Sequence, residues 1–231
     1  MINLATTLRL VNLKNDSVWQ RRYYIMNHYE MMARELKVGV NAILSPYGFE
    51  EICERCDGLI IPGSGMNIPT HYYGGAPLPE AELPEVDEYY LDAKLIDYFH
   101  KAGKPILGIC GGLQAINVFF GGSIKNLDDY EAHMNYGTKR HEVSITKGSF
   151  VYDVFKSERA CVNCYHGWEI DRLAEGFEVV ARTDDGVIEA IESKEKRIYA
   201  TQWHPEHSFE WEPYTEREMF VNFLKRCEEK I

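Results

Sequence analysis

Residues 105–124, PILGICGGLQAINVFFGGSI, contain no Asp, Glu, Lys or Arg. The stretch is about long enough to span a bilayer. Pro105, the glycine pairs at 111–112 and 121–122 and the amides of Gln114 and Asn117 instead divide it into a short strand, a sharp turn and a short helix. The flanking sequence repeats that alternation. Residues 2–10 read as a strand, 19–36 as a helix, 38–44 as a strand, 49–56 as a short helix, 58–62 as a buried strand and 86–102 as a helix. Strands alternating with helices require a parallel sheet covered by helices.

From His141 onward the pattern changes to short strands, HEVSIT, ACVNCYH, FEVVART, VIEAIES and RIYATQWH, with a tight Asp185-Gly186 turn between two of them. A last helix is expected over residues 214–227. The fold class is therefore α/β, a mostly parallel sheet flanked by helices with an additional antiparallel portion. No repeat, low-complexity tract or linker interrupts the 231 residues, so one domain over 1–231 is expected.

The formal net charge of -11 repels phosphate backbones and anionic bilayers, which argues against nucleic acid and membrane surfaces as partners. The first residues lack the basic flank and apolar run of a signal peptide, so a cytoplasmic location is expected. Six cysteines then read as free thiols. The pairs Cys53-x-x-Cys56 and Cys161-x-x-Cys164 have zinc-ribbon spacing within each pair, but the distance between the pairs is far beyond the roughly 15–20 residues such sites use, so no metal is expected.

The segment Gly108-Ile109-Cys110-Gly111-Gly112 is a G-x-C-x-G form of the nucleophile elbow, in which glycines let a strained strand-to-helix turn expose the central side chain. The turn opens a helix, whose positive end favours a thiolate and whose free N–H groups can hold an oxyanion. A cysteine nucleophile needs a base, and the base an orienting partner. Gln202-Trp203-His204-Pro205-Glu206, following the strand RIYAT, supplies His204 and Glu206. Cys110 could equally be one more buried thiol, and the His-Glu pair a solvated turn.

Taken together and in order, GLIIPGSGMNIPTHYYG, KPILGICGGLQAINVFFGGSI, CVNCYH, DGVIEAIE and TQWHPE resemble the class-I glutamine amidotransferase superfamily, and within it the gamma-glutamyl-gamma-aminobutyrate hydrolases. The resemblance implies a flavodoxin-like sheet, Cys110 as nucleophile, His204 as base and Glu206 as third member. It further implies an oxyanion hole from the backbone of Gly111 and Gly65, and a substrate site including Ser64, Gln114, Asn163, Tyr165 and His166. Gln114 could instead cap its helix, and Asn163 could satisfy backbone. His133 and His141 read as surface loop histidines.

The implied activity is cofactor-free cleavage of a small-molecule gamma-glutamyl amide through a glutamyl thioester. A glutaminase subunit feeding ammonia to a synthetase, and a non-catalytic redox or metal-binding protein using the Cys-x-x-Cys pairs, are the alternatives. A homo-oligomer is left open. Two departures bear on substrate: Gly111 stands where the family commonly carries Arg, and Gly167-Trp168 stands where it carries His-Gln. Gly111 is expected to open space beside the nucleophile, and Trp168 either to face the site or to pack into the core.

Overall fold

A computed structural model describes residues 1–15, 18–65, 67–77, 87–134, 140–211 and 214–229. The strands are β1 (Asn3–Thr7), β2 (Arg9–Asn15), β3 (Val18–Tyr24), β4 (Gly39–Ile43), β5 (Gly58–Ile61), β6 (Ile106–Ile109), β7 (Ser123–Asn126), β8 (Arg140–Ile145), β9 (Arg159–Asn163), β10 (Trp168–Arg172), β11 (Glu178–Thr183), β12 (Ile188–Ser193) and β13 (Ile198–Thr201). The helices are α1 (Asn27–Leu36), α2 (Glu50–Glu54), α3 (Glu88–Lys101), α4 (Gly111–Phe119), α5 (Tyr130–His133), α6 (Phe150–Phe155) and α7 (Glu218–Glu228).

Nine strands form the main sheet in the order β4-β1-β5-β6-β13-β12-β11-β8-β9. β4, β1, β5, β6 and β13 run parallel, and β12, β11, β8 and β9 continue the sheet antiparallel. This is the flavodoxin-like α/β arrangement with an antiparallel extension. Alternation along β5 separates the two layers: Leu59 and Ile61 pack with Leu95, Phe99 and Leu113 of α3 and α4, while Ile60 packs with Tyr29 and Met32 of α1 and Phe223 of α7. Both faces are covered, so the central strands are wholly apolar. α3 starts at Asp87, whose carboxylate accepts from Tyr90 N–H at 3.1 Å, and ends before Gly103 at φ 67°. The expected start of this helix at Val86 lies outside the described residues, as do Met66 and residues 78–79 of the preceding loop.

Three expectations are corrected. Residues 19–36 are not one helix, because β3 runs to Tyr24 and α1 begins only at Asn27. Val18-Trp19 and Tyr23-Tyr24 are strand formers, and this segment pairs antiparallel with β2, from Arg9↔Tyr24 to Asn15↔Val18. The expected strand over 2–10 accordingly divides between β1 and β2. Near the C-terminus the chain makes a 3-10 turn, Tyr214–Arg217, before α7. Among the described residues no helix is long and apolar enough to cross a membrane.

Candidate active site

β6 ends at Ile109 and α4 begins at Gly111, so Cys110 alone makes the turn, with φ 51° and ψ −108°. A side chain at positive φ is strained. The surrounding backbone holds it there: Cys110 N–H donates to Thr201 O at 2.7 Å, and its carbonyl accepts from Leu113 and Gln114 N–H at 3.0 and 3.3 Å. A Cβ on Gly112 would lie 2.1 Å from Ile61 O, so the first turn of α4 approaches β5 at backbone contact. The Cys110 thiol, at the positive end of α4, contacts the Tyr165 carbonyl at 3.8 Å and receives the Gln202 amide at 3.6 Å.

β13 brings the second group. It lies beside β6 with Thr201 opposite Ile109, and the chain continues three residues to His204. His204 Nδ1 is 2.7 Å from Glu206 Oε1, and both side chains are buried. His204 Nε2 makes no hydrogen bond among the described residues, and the ring lies on the same side of Gly63 as the thiol, a Cβ on that glycine standing 2.9 Å from His204 Cε1 and 3.4 Å from Cys110 Cβ. Burial favours the neutral ring, but the Glu206 carboxylate and Cys110 outweigh it and raise the His204 pKa well above its ordinary value. Burial likewise works against the Glu206 carboxylate, and His204 more than offsets it, so Glu206 stays below the usual carboxylate range. His207 stacks on His204 with centroids 5.1 Å apart and planes at 12°. Burial, with His204 and His28 beside it, pushes His207 down to about 4, against the pull of the Glu206 carboxylate.

A buried guanidinium shapes the opposite wall. Arg9 donates from Nη2 to Pro62 O at 2.6 Å and from Nε to Gly63 O at 3.1 Å, while Nη1 is 3.0 Å from both oxygens of Asp92. Ser64 Oγ donates to Glu88 Oε2 at 2.5 Å. The Gly63-Ser64-Gly65 turn is thereby fixed against the elbow.

Cys110, His204, Ser64, Gly65, Gln114, Tyr165 and His166 all line a cavity of about 780 Å³. Gln114 does not cap its helix; its amide donates to Trp168 O at 3.1 Å and Gln202 Oε1 at 3.3 Å. Trp168 lines the cavity. Asn163 does not. Its Oδ1 accepts from His204 N–H and its Nδ2 donates to His204 O, both at 2.9 Å, so its amide is spent on the backbone of His204. Nδ2 also reaches Glu216 Oε2 at 3.4 Å, and Glu216 pairs with Arg140.

The expected space beside Gly111 is absent: a Cβ there would stand 2.8 Å from Ser64 N and 3.2 Å from Ser64 Cβ. The turn at Ser64 fills it, so an Arg at this position requires a different course of that turn. His133 and His141 are not surface loop residues; His133 is buried and His141 half-buried, both beside Glu189. Arg9 and Asp92 carry no local pattern that points to the site, and Glu189 lies inside the motif DGVIEAIE without a signal of its own.

The fold and the matches to known families identify a class-I glutamine amidotransferase-like protein, with Cys110 and His204 on one cavity. Residues 2–206 match the family Peptidase C26, and the chain belongs to that family. It is 32% identical over 176 residues to the glutamine amidotransferase-like protein YvdE of Lactococcus lactis, covering 72% of this chain and 73% of that protein. It is 29% identical over 207 residues to the gamma-glutamyl-gamma-aminobutyrate hydrolase of Escherichia coli O157:H7, covering 83% and 80%. The crystal structure of a glutamine amidotransferase from Thermotoga maritima superposes with a TM-score of 0.68, covers 99% of each chain and shares 15% identity, a likeness of fold. The activity is that of a cysteine-dependent amide hydrolase of the glutamine or gamma-glutamyl type.

Proposed function

We propose that the chain hydrolyses gamma-glutamyl amides, with Cys110 as nucleophile, His204 as general base and acid, and Glu206 as the group that orients His204. The supporting observation is the meeting of the elbow thiol with a buried imidazole whose Nδ1 is fixed by Glu206 at 2.7 Å. With Nδ1 donating to the carboxylate, Nε2 serves the sulfur. Cys110 adds to the side-chain carbonyl, and the oxyanion is received by the N–H groups of Gly111, at the start of α4, and Gly65. As the tetrahedral adduct collapses, the C–N bond breaks and His204 returns the proton to the leaving amine. Water, deprotonated by His204, then cleaves the glutamyl thioester to glutamate and free thiol. No step calls on a cofactor.

Ser64, Gln114, Tyr165 and His166 form walls around the glutamyl half. Asn163 acts on His204 rather than on substrate. The amine half faces Tyr24, Ile25 and Met26 from the end of β3, together with Met134 and Trp168. Arg9, the cavity's one Lys or Arg side chain among the described residues, is paired with Asp92. These walls favour a neutral, bulky amine over an anionic one.

Glutamate release from a panel of gamma-glutamyl amides by the isolated chain tests the reading. Release from several amides without a partner supports it. Release from glutamine alone, and only with a synthetase added, replaces it with an ammonia-supplying subunit, and no release overturns it.

A further inference from the structure

A second polar cluster lies behind the cavity wall. His133 ends α5, His141 lies in β8, His166 follows β9 and Glu189 lies in β12, so four separate segments converge. Glu189 is 0% exposed, His133 2% and His166 4%. Measured from Glu189 Oε1, His166 Nε2 is at 3.2 Å, His141 Nε2 at 3.4 Å and His133 Nδ1 at 3.8 Å. None of these three ring nitrogens, nor either carboxylate oxygen of Glu189, makes a hydrogen bond among the described residues. Buried polar atoms left in this state are costly, and five of them in one place need an account.

The outer edges of two rings decide where their protons are. His166 Nδ1 is 3.0 Å from Trp168 O, which can only accept, so Nδ1 carries the proton and Nε2 turns a lone pair inward. His133 Nε2 is 3.1 Å from Asp185 Oδ2, and by the same logic Nδ1 turns a lone pair inward. Imidazole lone pairs aimed at a carboxylate repel it unless a cation lies between them. Extra protons on the rings would draw the contacts in to the ~2.7–2.9 Å of charge-assisted hydrogen bonds. The observed 3.2–3.8 Å is wider. Ligand atoms around a tetrahedral zinc with bonds of about 2.0–2.1 Å are roughly 3.3–3.4 Å apart, close to these separations. An outer hydrogen bond to a carboxylate or carbonyl is also how metal-bound imidazoles are oriented.

We propose that His133, His166 and Glu189 bind a zinc ion through two imidazole nitrogens and one carboxylate, whose donor atoms all lie within 4.8 Å of one another. With three protein ligands a water completes the coordination sphere, and His141 Nε2, 3.4 Å from Glu189 Oε1, stands beside the ligand carboxylate. Cys164, whose thiol donates to Ala132 O at 3.7 Å, stays outside the ligand set. The ion ties α5 and β12 to the segment after β9. That segment carries the Tyr165 carbonyl beside Cys110 and Trp168 in the cavity wall.

The test uses the untagged full chain from zinc-supplemented culture. Elemental analysis should find about one zinc per chain, and stripping with a strong chelator should lower Tm, restored by Zn²⁺ alone. Glu189→Gln and His166→Ala should weaken zinc binding at least ~100-fold in competition with a chromophoric chelator. Cys110→Ser and His204→Ala should bind zinc as the wild type does, which separates the site from the His204, Glu206 and His207 cluster. X-ray absorption at the zinc edge should show only nitrogen and oxygen neighbours. This measurement and the Tm shift use the wild type, so they decide even where a variant fails to fold. Wild-type protein that neither retains zinc nor gains Tm from it, a sulfur neighbour, or binding lost in His204→Ala but kept in Glu189→Gln, would each overturn the proposal.

Discussion

Gly63 and His204 meet with no room to spare: a Cβ on Gly63 would stand 2.9 Å from His204 Cε1 and 3.4 Å from Cys110 Cβ. The glycine therefore sets how closely the imidazole approaches the thiol. Gly63→Ala should lower kcat by ~10²-fold through displacement of His204, with the fold retained. Steady-state kinetics beside a thermal melt checks this; a wild-type kcat would mean that the ring tolerates the displacement.

Cys110→Ser should fold and lose at least ~10³-fold in turnover, because a hydroxyl at an elbow suited to a thiolate is a poor nucleophile. Iodoacetamide followed by peptide mass spectrometry should find Cys110 modified fastest of the six cysteines, with matching loss of activity. Full activity after stoichiometric labelling of Cys110 would remove it from the mechanism.

Three residues act on one proton path with different weights. His204→Ala removes the base and should cost more than Glu206→Gln, which leaves the ring present but less well oriented. Asn163→Ala frees the His204 backbone from both of its amide bonds, so kcat should fall ~10-fold or more while KM stays near wild type. A rise in KM alone would return Asn163 to the substrate site.

Acid should destabilise the protein through His207. Its folded pKa is about 4 against an ordinary 6.5, so between these values the unfolded chain takes up a proton that the folded chain refuses. Stability attributable to His207 is therefore full above pH 6.5, declines as pH falls through that window and levels off below about 4. The groups facing the ring are Glu206, His204, His28 and Glu210, and the rings of His204, His28 and Trp211 pack against it. Denaturant melts between pH 7 and 4 should show a shallower decline in His207→Leu than in wild type; parallel curves would assign the acid lability elsewhere.

The walls on the amine side predict specificity. Gamma-glutamyl amides of neutral aromatic or bulky amines should exceed gamma-glutamyl-gamma-aminobutyrate in kcat/KM by about 10-fold, the worth of one added apolar contact. Trp168→Ala should erase the difference. A clear preference for the anionic conjugate would show that a cation is supplied despite the Arg9–Asp92 pair and the glycine at 111.

The strand-to-helix elbow, the order of the parallel strands' segments and the candidacy of Cys110, His204 and Glu206 could be read directly from the chain. Each is carried by consecutive residues, as apolar runs, glycine at a turn or a His and Glu two apart. Pairing of β13 with β6 decides that residue 204 returns to residue 110, and no local pattern specifies that register. Residues 19–24, expected as the start of a helix, are strand because pairing with β2, not their own periodicity, stabilises them. Arg9, Gly63, Asn163 and the group of His133, His141, His166 and Glu189 acquire their roles only where segments far apart in sequence pack together. A buried charge or a lone pair needs a partner in space, and folding alone supplies it.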